Sequence, residues 1–154
     1  MLTAEEKKEI QAVVEHYTLK SAASIESLRI VQRHRGWVSD EALYDVAQAL
    51  EMSATDLDAV ATFYNLVFRR PVGRHVILVC DSVSCWVMGY DNVAGYLKKK
   101  LGIDFGETTE DGRFTLLPHV CLGACDQAPV MMVDDQLFGF LDAGKIEEIL
   151  ESFE

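Results

Sequence analysis

The hydrophobic pattern of this chain changes at "RRPVG", residues 69–73, and that change limits the possible folds more than any other feature. Before this point, apolar residues recur at the spacing of amphipathic helices. After it comes "HVILVC" (75–80), a continuous β-branched run that is typical of a strand covered on both faces. Pro71 and Gly73 interrupt the helical pattern. The sequence therefore predicts two domains, an N-terminal helical bundle at 1–70 and an α/β domain at 71–154.

Signals for helix starts recur through the first domain. Thr3 and Glu6 fit a capping box, and Ser39 and Ser53 are placed to cap two later helices. Another helix is predicted around 22–34, where basic residues precede a glycine. In the first helix, the apolar residues at helical spacing are Ile10, Val13, Val14 and Tyr17. Helices this short cannot each bury an apolar face alone, so we expect them to pack as a small bundle.

The second domain reads as β-α-β followed by β-β-α. The strand at 75–80 precedes a helix at 89–102 and a second strand at 112–118. A hairpin is predicted to turn at Asp134–Asp135, and Asp142 is placed to start a final helix. A strand, a crossover helix and a parallel strand, followed by a hairpin and a helix, predict a thioredoxin-like domain.

Four cysteines lie in two loops of that domain. They form the pairs Cys80-x4-Cys85 and Cys121-x3-Cys125, and the chain has no others. Cys80 ends the first strand, and the second pair follows the second strand, so both loops should meet at one end of a parallel sheet. Four thiolates around two bridged irons form the usual protein ligand set of a 2Fe–2S cluster.

Four cysteines can also form disulfides, a redox-active dithiol or a zinc site, or be inert packing residues. The charged N-terminus, "MLTAEEKKEI", lacks an apolar signal core, so we expect a reducing cytoplasm, where structural disulfides are rare. A thioredoxin-type dithiol requires Cys-x-x-Cys, and a Rieske centre requires two histidine ligands. His119 is interpreted as a neighbour of the site or a surface residue. Inert buried cysteines and a zinc site stay open, although the x4 and x3 gaps fit zinc knuckles only loosely.

Charge limits the classes of partner. The net charge is −11, and the region 71–154 carries −8 of it, from 6 basic and 14 acidic residues. Such a surface repels phosphate backbones, which argues against nucleic acid and suits a basic protein face. No apolar run is long enough to span a bilayer, so direct membrane insertion is not expected.

The cysteine segments "PVGRHVILVCDSVSCW" and "CLGACDQAP", together with "VATFYNLVF", resemble one known family over essentially the whole chain. This family is the thioredoxin-like 2Fe–2S subunit, designated E, of bacterial NADH:quinone oxidoreductase (respiratory complex I). Its members have a thioredoxin-like 2Fe–2S ferredoxin domain preceded by a small helical bundle. The resemblance implies that Cys80, Cys85, Cys121 and Cys125 are the cofactor-binding and metal-ligating residues of one 2Fe–2S cluster. In the family pattern, Cys80 and Cys85 hold one iron, and Cys121 and Cys125 hold the other.

The resemblance also implies an electron-transfer role in an oxidoreductase that acts in electron transport. The expected partners are the FMN- and NADH-binding flavoprotein subunit and other peripheral-arm subunits, on the cytoplasmic side of the inner membrane. The resemblance implies that NADH and FMN bind to the partner; no nucleophile–base pair and no nucleotide-binding glycine turn is seen in this sequence. The alternatives are the equivalent subunit of an NAD-linked formate dehydrogenase or hydrogenase, or, more remotely, a zinc-stabilised interaction module.

Three expectations concern the partner surface. The helical domain with "ATFYNLVF" (61–68) is predicted to dock the flavoprotein subunit. Either Phe138 or Phe140 is predicted to face the partner. Trp86, directly after Cys85, is interpreted as a shield for the cluster, an interface residue or a core residue.

Overall fold

The computed structural model describes residues 1–153, and the chain divides into two compact units, Met1–Pro71 and Val72–Glu154. The division falls within the "RRPVG" segment, where the hydrophobic pattern changes. Across the described residues, no helix has both the length and the apolar character needed to cross a membrane.

The first unit consists of helices. They are α1 (Ala4–Val14), α2 (Ser24–Arg35), α3 (Asp40–Ala49) and α4 (Ala54–Phe63), with a 3-10 helix at Lys20–Ala23. The three predicted caps are confirmed, because Thr3, Ser39 and Ser53 each accept a backbone N–H of the first turn. One boundary was wrong. Helix α1 ends at Val14, and the partly exposed Tyr17 instead donates a hydrogen bond to Glu26.

The core of the first unit is mainly apolar, yet it contains Glu6, which is fully buried. Its carboxylate accepts the Thr3 N–H at 2.7 Å, completing the capping box, and two guanidinium N–H groups of Arg35 at 2.6 Å each. The hydrogen bonds from Arg35 outweigh the effect of burial and lower the pKa of Glu6 to about 2. This ion pair joins α1 to α2, with the carboxylate buried and the guanidinium partly exposed.

The second unit is built on a mixed sheet. Its elements are β1 (His75–Cys80), α5 (Val83–Val87), α6 (Tyr90–Leu101), β2 (Phe114–His119), β3 (Met131–Val133), β4 (Gln136–Phe138) and α7 (Ala143–Ser152). The strand order is β2-β1-β3-β4, with β1 parallel to β2 and the other neighbours antiparallel. This topology confirms the predicted thioredoxin-like fold, except that the short helix α5 was not predicted.

The parallel pair sets the position of the cysteine loops. Cys80 lies opposite His119 in the register of β1 and β2, so both strands end at the same edge of the sheet. The loop that carries Cys121 starts directly after His119, at that edge. The sheet core comprises apolar side chains of β1 to β3, α6 and α7, and contains Ile77, Leu97, Phe114, Met131 and Ile146. A packed core therefore supports the sheet edge where both cysteine pairs begin.

Candidate metal centre

The two cysteine pairs differ in exposure. Cys80, the last residue of β1, is 2% exposed, and Cys85, in the middle of α5, is 1% exposed. Cys121 and Cys125 are exposed on the loop after β2. All four thiols are free of disulfides. The first pair thus lies on the protein side of the candidate centre, and the second pair on the solvent side.

The first pair lies in a small apolar cluster with three neighbours from the second loop and its continuation, Ala124, Ala128 and Val130. The backbone N–H of Cys80 donates to the Val130 carbonyl at 3.2 Å, which ties the two segments together. Because the residues packed around Cys85 come from both cysteine loops, the fold brings the Cys80–Cys85 pair close to the segment that carries Cys125.

Burial raises the pKa of the Cys85 thiol to about 11, with the Cys80 thiol adding to the rise and a backbone hydrogen bond at Val130 opposing it. The charge of Cys125 raises this pKa further. Without a bound cation, Cys85 is therefore a neutral thiol at pH 7. A metal that binds this pair must displace its proton, so metal uptake releases protons.

Four cysteines in two pairs can serve more than one kind of metal site. Within residues 1–153, no group of three His, Cys, Asp or Glu side chains is close enough to hold one metal ion. A tetrahedral zinc site requires four ligands on one ion. A 2Fe–2S cluster requires two thiolates on each of two irons, and Cys80 and Cys85 form one buried pair. The paired cysteines fit the cluster, and the assignment of the four ligands stays a prediction.

The backbone around the cysteines leaves first-turn N–H groups without side-chain partners. Among the described residues, the N-cap positions of α5 (Ser82), α6 (Gly89) and the 3-10 helix at Cys125–Gln127 (Ala124) make no side-chain cap hydrogen bond. Gly123 has φ 78°, which lets the second loop turn between Cys121 and Cys125. N–H groups that no side chain occupies can donate to a nearby anion such as thiolate-bound sulfur.

The structure also shows the surroundings of residues near the site whose roles the sequence left open. Trp86 is exposed, which removes the core interpretation. Phe138 is half-buried and packs against Phe153 with ring centroids 6.2 Å apart, whereas Phe140 is exposed. His119 Nδ1 is buried and finds no hydrogen-bond partner among the described residues. Sequence analysis missed α5 altogether, because five residues are too few to show a helical period.

A thioredoxin-like sheet with its four cysteines in two loops at one end defines the class of thioredoxin-like ferredoxins. Residues 10–154 match the family described as thioredoxin-like 2Fe-2S ferredoxin. The chain belongs to this family. It is 47% identical over 153 residues to the E subunit of NADH-quinone oxidoreductase from Pseudomonas aeruginosa, covering 99% of this chain and 92% of the relative. The corresponding protein of Escherichia coli K12 is 50% identical over 152 residues, with the same coverage.

A solved structure shares the fold. The crystal structure of an NAD+-reducing NiFe-hydrogenase in the air-oxidized state superimposes with a TM-score of 0.73 and 25% identity. The match covers 85% of this chain and 22% of the hydrogenase chain. The family resemblance predicted from the cysteine segments is thus confirmed by near full-length relatives, which are named as subunits of an oxidoreductase complex.

Proposed function

We propose that this chain is the electron-transfer subunit of an NADH:quinone oxidoreductase. In this proposal, Cys80 and Cys85 hold one iron of a 2Fe–2S cluster, and Cys121 and Cys125 hold the other. The partner is the flavoprotein subunit that binds FMN and NADH. The chain then lies in a peripheral arm on the cytoplasmic side of the inner membrane, together with other peripheral-arm subunits.

The observation that carries the proposal is the buried pair of thiols at the edge of the parallel strands. Two neutral thiols side by side in an apolar cluster gain little from each other, but as thiolates they are strong ligands for a soft metal. The side chains of Ala124 and Ala128, which pack in the same cluster as the two thiols, are small. The cluster, when bound, supplies one-electron redox chemistry.

The chain's own residues position that centre and limit its exposure. Cys85 lies on the inner side of α5, while the second loop places Cys121 and Cys125 toward solvent. The N–H groups that begin α6 have no side-chain cap and are available to stabilise negative charge on the ligand sulfurs. We assign hydride transfer to the flavoprotein subunit and not to this chain, in whose sequence no glycine-rich nucleotide turn follows the first strand.

A second candidate function has one observation in its favour. The NAD+-reducing hydrogenase contains a similar fold in about a fifth of one longer chain. An equivalent subunit of an NAD-linked hydrogenase or formate dehydrogenase would use the same cysteines. The relatives of 47% and 50% identity are nevertheless named as quinone oxidoreductase subunits, and they match this chain at nearly full length. Identification of the chains that copurify with the tagged protein decides between these complexes.

The cofactor is tested by metal and sulfide analysis of anaerobically purified protein. We expect about two irons and two acid-labile sulfides per chain, with a coloured, reducible product. A colourless protein that holds zinc and no sulfide would refute the proposal and support the interaction module. Purification from zinc-depleted medium controls for adventitious zinc.

A further inference from the structure

His119, the last residue of β2, has a ring nitrogen that the rest of the described chain leaves unpaired. The side chain is partly exposed, but its Nδ1 atom is buried and has no hydrogen-bond partner among residues 1–153. A buried polar atom without a hydrogen bond costs free energy, and such atoms are few in native proteins. Those that occur call for an explanation, and a functional contact is one of them.

The register of the sheet places this ring beside a candidate ligand. Cys80 and His119 are paired in the parallel strands β1 and β2, whose backbones lie about 4.8 Å apart. The N–H of Asp81 donates to the His119 carbonyl at 2.9 Å, so the pairing extends to the last residue of β2. Side chains alternate between the two faces along a strand, and paired residues therefore leave the sheet on the same face. The imidazole thus shares a face with the Cys80 thiol.

A second pair of residues in the same strands supports this assignment. Ile77 and Leu116 are also paired, and both pack in the sheet core. Each lies three residues before a member of the Cys80–His119 pair, so alternation puts the later pair on the opposite face. The Cys80 side chain accordingly packs in the other apolar cluster, together with Cys85. His119 is therefore directed away from the sheet core and shares the face that carries a buried thiol.

The cysteine end of the sheet, where β1 and β2 stop and the two cysteine loops begin, is poor in cations. Neither of the segments 76–97 and 114–144 contains a lysine or an arginine, and together they contain six aspartates. His119 is the one histidine in these segments. A cluster ligated by four thiolates is an anion and gains further negative charge on reduction. Such a charge requires nearby hydrogen-bond donors when it lies partly away from water.

We propose that His119 carries a hydrogen on Nδ1 and donates it to a sulfur atom of the bound cluster, an inference that rests on the function proposed above. Thiolate and sulfide sulfurs only accept hydrogen bonds, so a ring nitrogen that meets them is the donor, and this bond selects the Nδ1–H tautomer. The bond is stronger to the more negative, reduced cluster. His119 is thus a positioning residue that raises the reduction potential through the cluster sulfurs.

The first test identifies the nitrogen. The full-length, cluster-loaded chain is labelled with nitrogen-15 histidine, reduced with dithionite and measured by pulsed electron paramagnetic resonance. A hydrogen bond to a cluster sulfur carries electron spin to the donor nitrogen, so we expect a nitrogen-15 coupling in the wild type and none in His119→Asn. The control, His75→Gln, should keep the coupling. His75 Nδ1 is 2.7 Å from an Asp134 carboxylate oxygen, at the opposite end of β1, roughly 17 Å along the strand from Cys80.

The second test measures the reduction potential of two variants. His119→Leu removes the donor, whereas His119→Asn keeps an N–H group two bonds from Cβ, as Nδ1 is in histidine. At one solution potential near the wild-type midpoint, His119→Leu should lower the ratio of reduced to oxidised cluster at least about threefold, and His119→Asn should keep it within about twofold of the wild type. Equal shifts in both variants, with lost iron and lower melting temperatures, would indicate a structural role and overturn the inference.

Metal analysis of the same preparations keeps this inference apart from the proposed function. Wild-type protein with about two irons per chain but no histidine nitrogen-15 coupling would overturn the inference and leave the electron-transfer function intact. Zinc in place of iron and sulfide would overturn both. If His119→Leu does not retain its iron, the nitrogen-15 comparison of the wild type with His119→Asn still decides.

Discussion

The helix starts next to the cysteines of the second unit differ from three helix starts of the first unit, although α2 lacks a side-chain cap and α7 has one, from Asp142. In the first unit, the starts of α1, α3 and α4 are closed by the side chains of Thr3, Ser39 and Ser53. In the described part of the second unit, the helices next to the cysteines, α5 and α6, begin without a side-chain cap. Three helix starts of the first unit are thus satisfied internally, whereas the cysteine end of the second leaves N–H groups for a bound anion or a partner.

Exposed apolar residues occur in both units, but their surroundings differ. In the first unit, the exposed aromatic residues Phe63 and Tyr64 pack edge to face against each other, with centroids 5.2 Å apart. They belong to the 61–68 segment, whose docking role remains a prediction. In the second unit, exposed apolar residues surround the cysteine loops, including those of α5, Val120 and Phe140.

The largest effect is expected from removing one buried ligand. Cys85→Ala should lose most of the iron and sulfide and the visible absorbance, because the pair on the protein side of the centre is broken. Far-ultraviolet circular dichroism should retain the helical signal of the first unit, whose core contains no cysteine. Ser84→Ala, on the same helix, is the control and should keep its iron. Full iron content in Cys85→Ala would remove this residue from the ligand set.

An intermediate effect is expected from acid, and it belongs to the first unit. The Arg35 guanidinium lowers the pKa of the buried Glu6 carboxyl from its ordinary value of 4.5 to about 2. The unfolded chain binds this proton first as pH falls, so the stabilisation is complete above pH 4.5 and is lost between about pH 4.5 and 2. The loss amounts to about 3 kcal/mol of unfolding free energy.

The measurement is the urea unfolding free energy of wild type and Glu6→Gln across that range. The difference between them should shrink as pH falls through the window. Glu9→Gln is the control, because Glu9 has a lowered pKa but its carboxylate is not buried. The stability difference between wild type and Glu9→Gln should therefore depend on pH much less. A constant difference between wild type and Glu6→Gln would show that the ion pair does not stabilise the native state.

The smallest effect compares two serines at helix starts. Ser39→Ala removes a cap that accepts the Ala42 N–H at 3.2 Å and should cost about 1 kcal/mol. Ser82→Ala removes a hydroxyl that makes no cap hydrogen bond in the described structure, and should change stability by no more than about 0.5 kcal/mol. Thermal unfolding of both variants checks the contrast. Equal losses would mean that the cysteine end is capped like the first unit.

Much of the fold was predictable because its signals are local. The capping residues, the strand at 75–80 and the final helix after Asp142 were all confirmed, since the sequence signal of each lies within a few residues. The end of α1 was missed because the spacing of Tyr17 continues the helical pattern beyond the point where the chain turns. Helix α5 was missed because its five residues carry no helical period; its buried residue, Cys85, packs in an apolar cluster with residues from distant parts of the chain.

Periodicity, capping residues and cysteine spacing are written along the chain, so the fold class, the family and the candidate ligands could all be predicted from them. The burial of Cys80 and Cys85 together, and the exposure of Phe140 rather than Phe138, emerged only once the chain was folded. The same holds for the pairing of Glu6 with Arg35, 29 residues apart. Burial and such pairings depend on which distant segments meet, and that meeting fixes the dielectric, the pKa and the exposed surface.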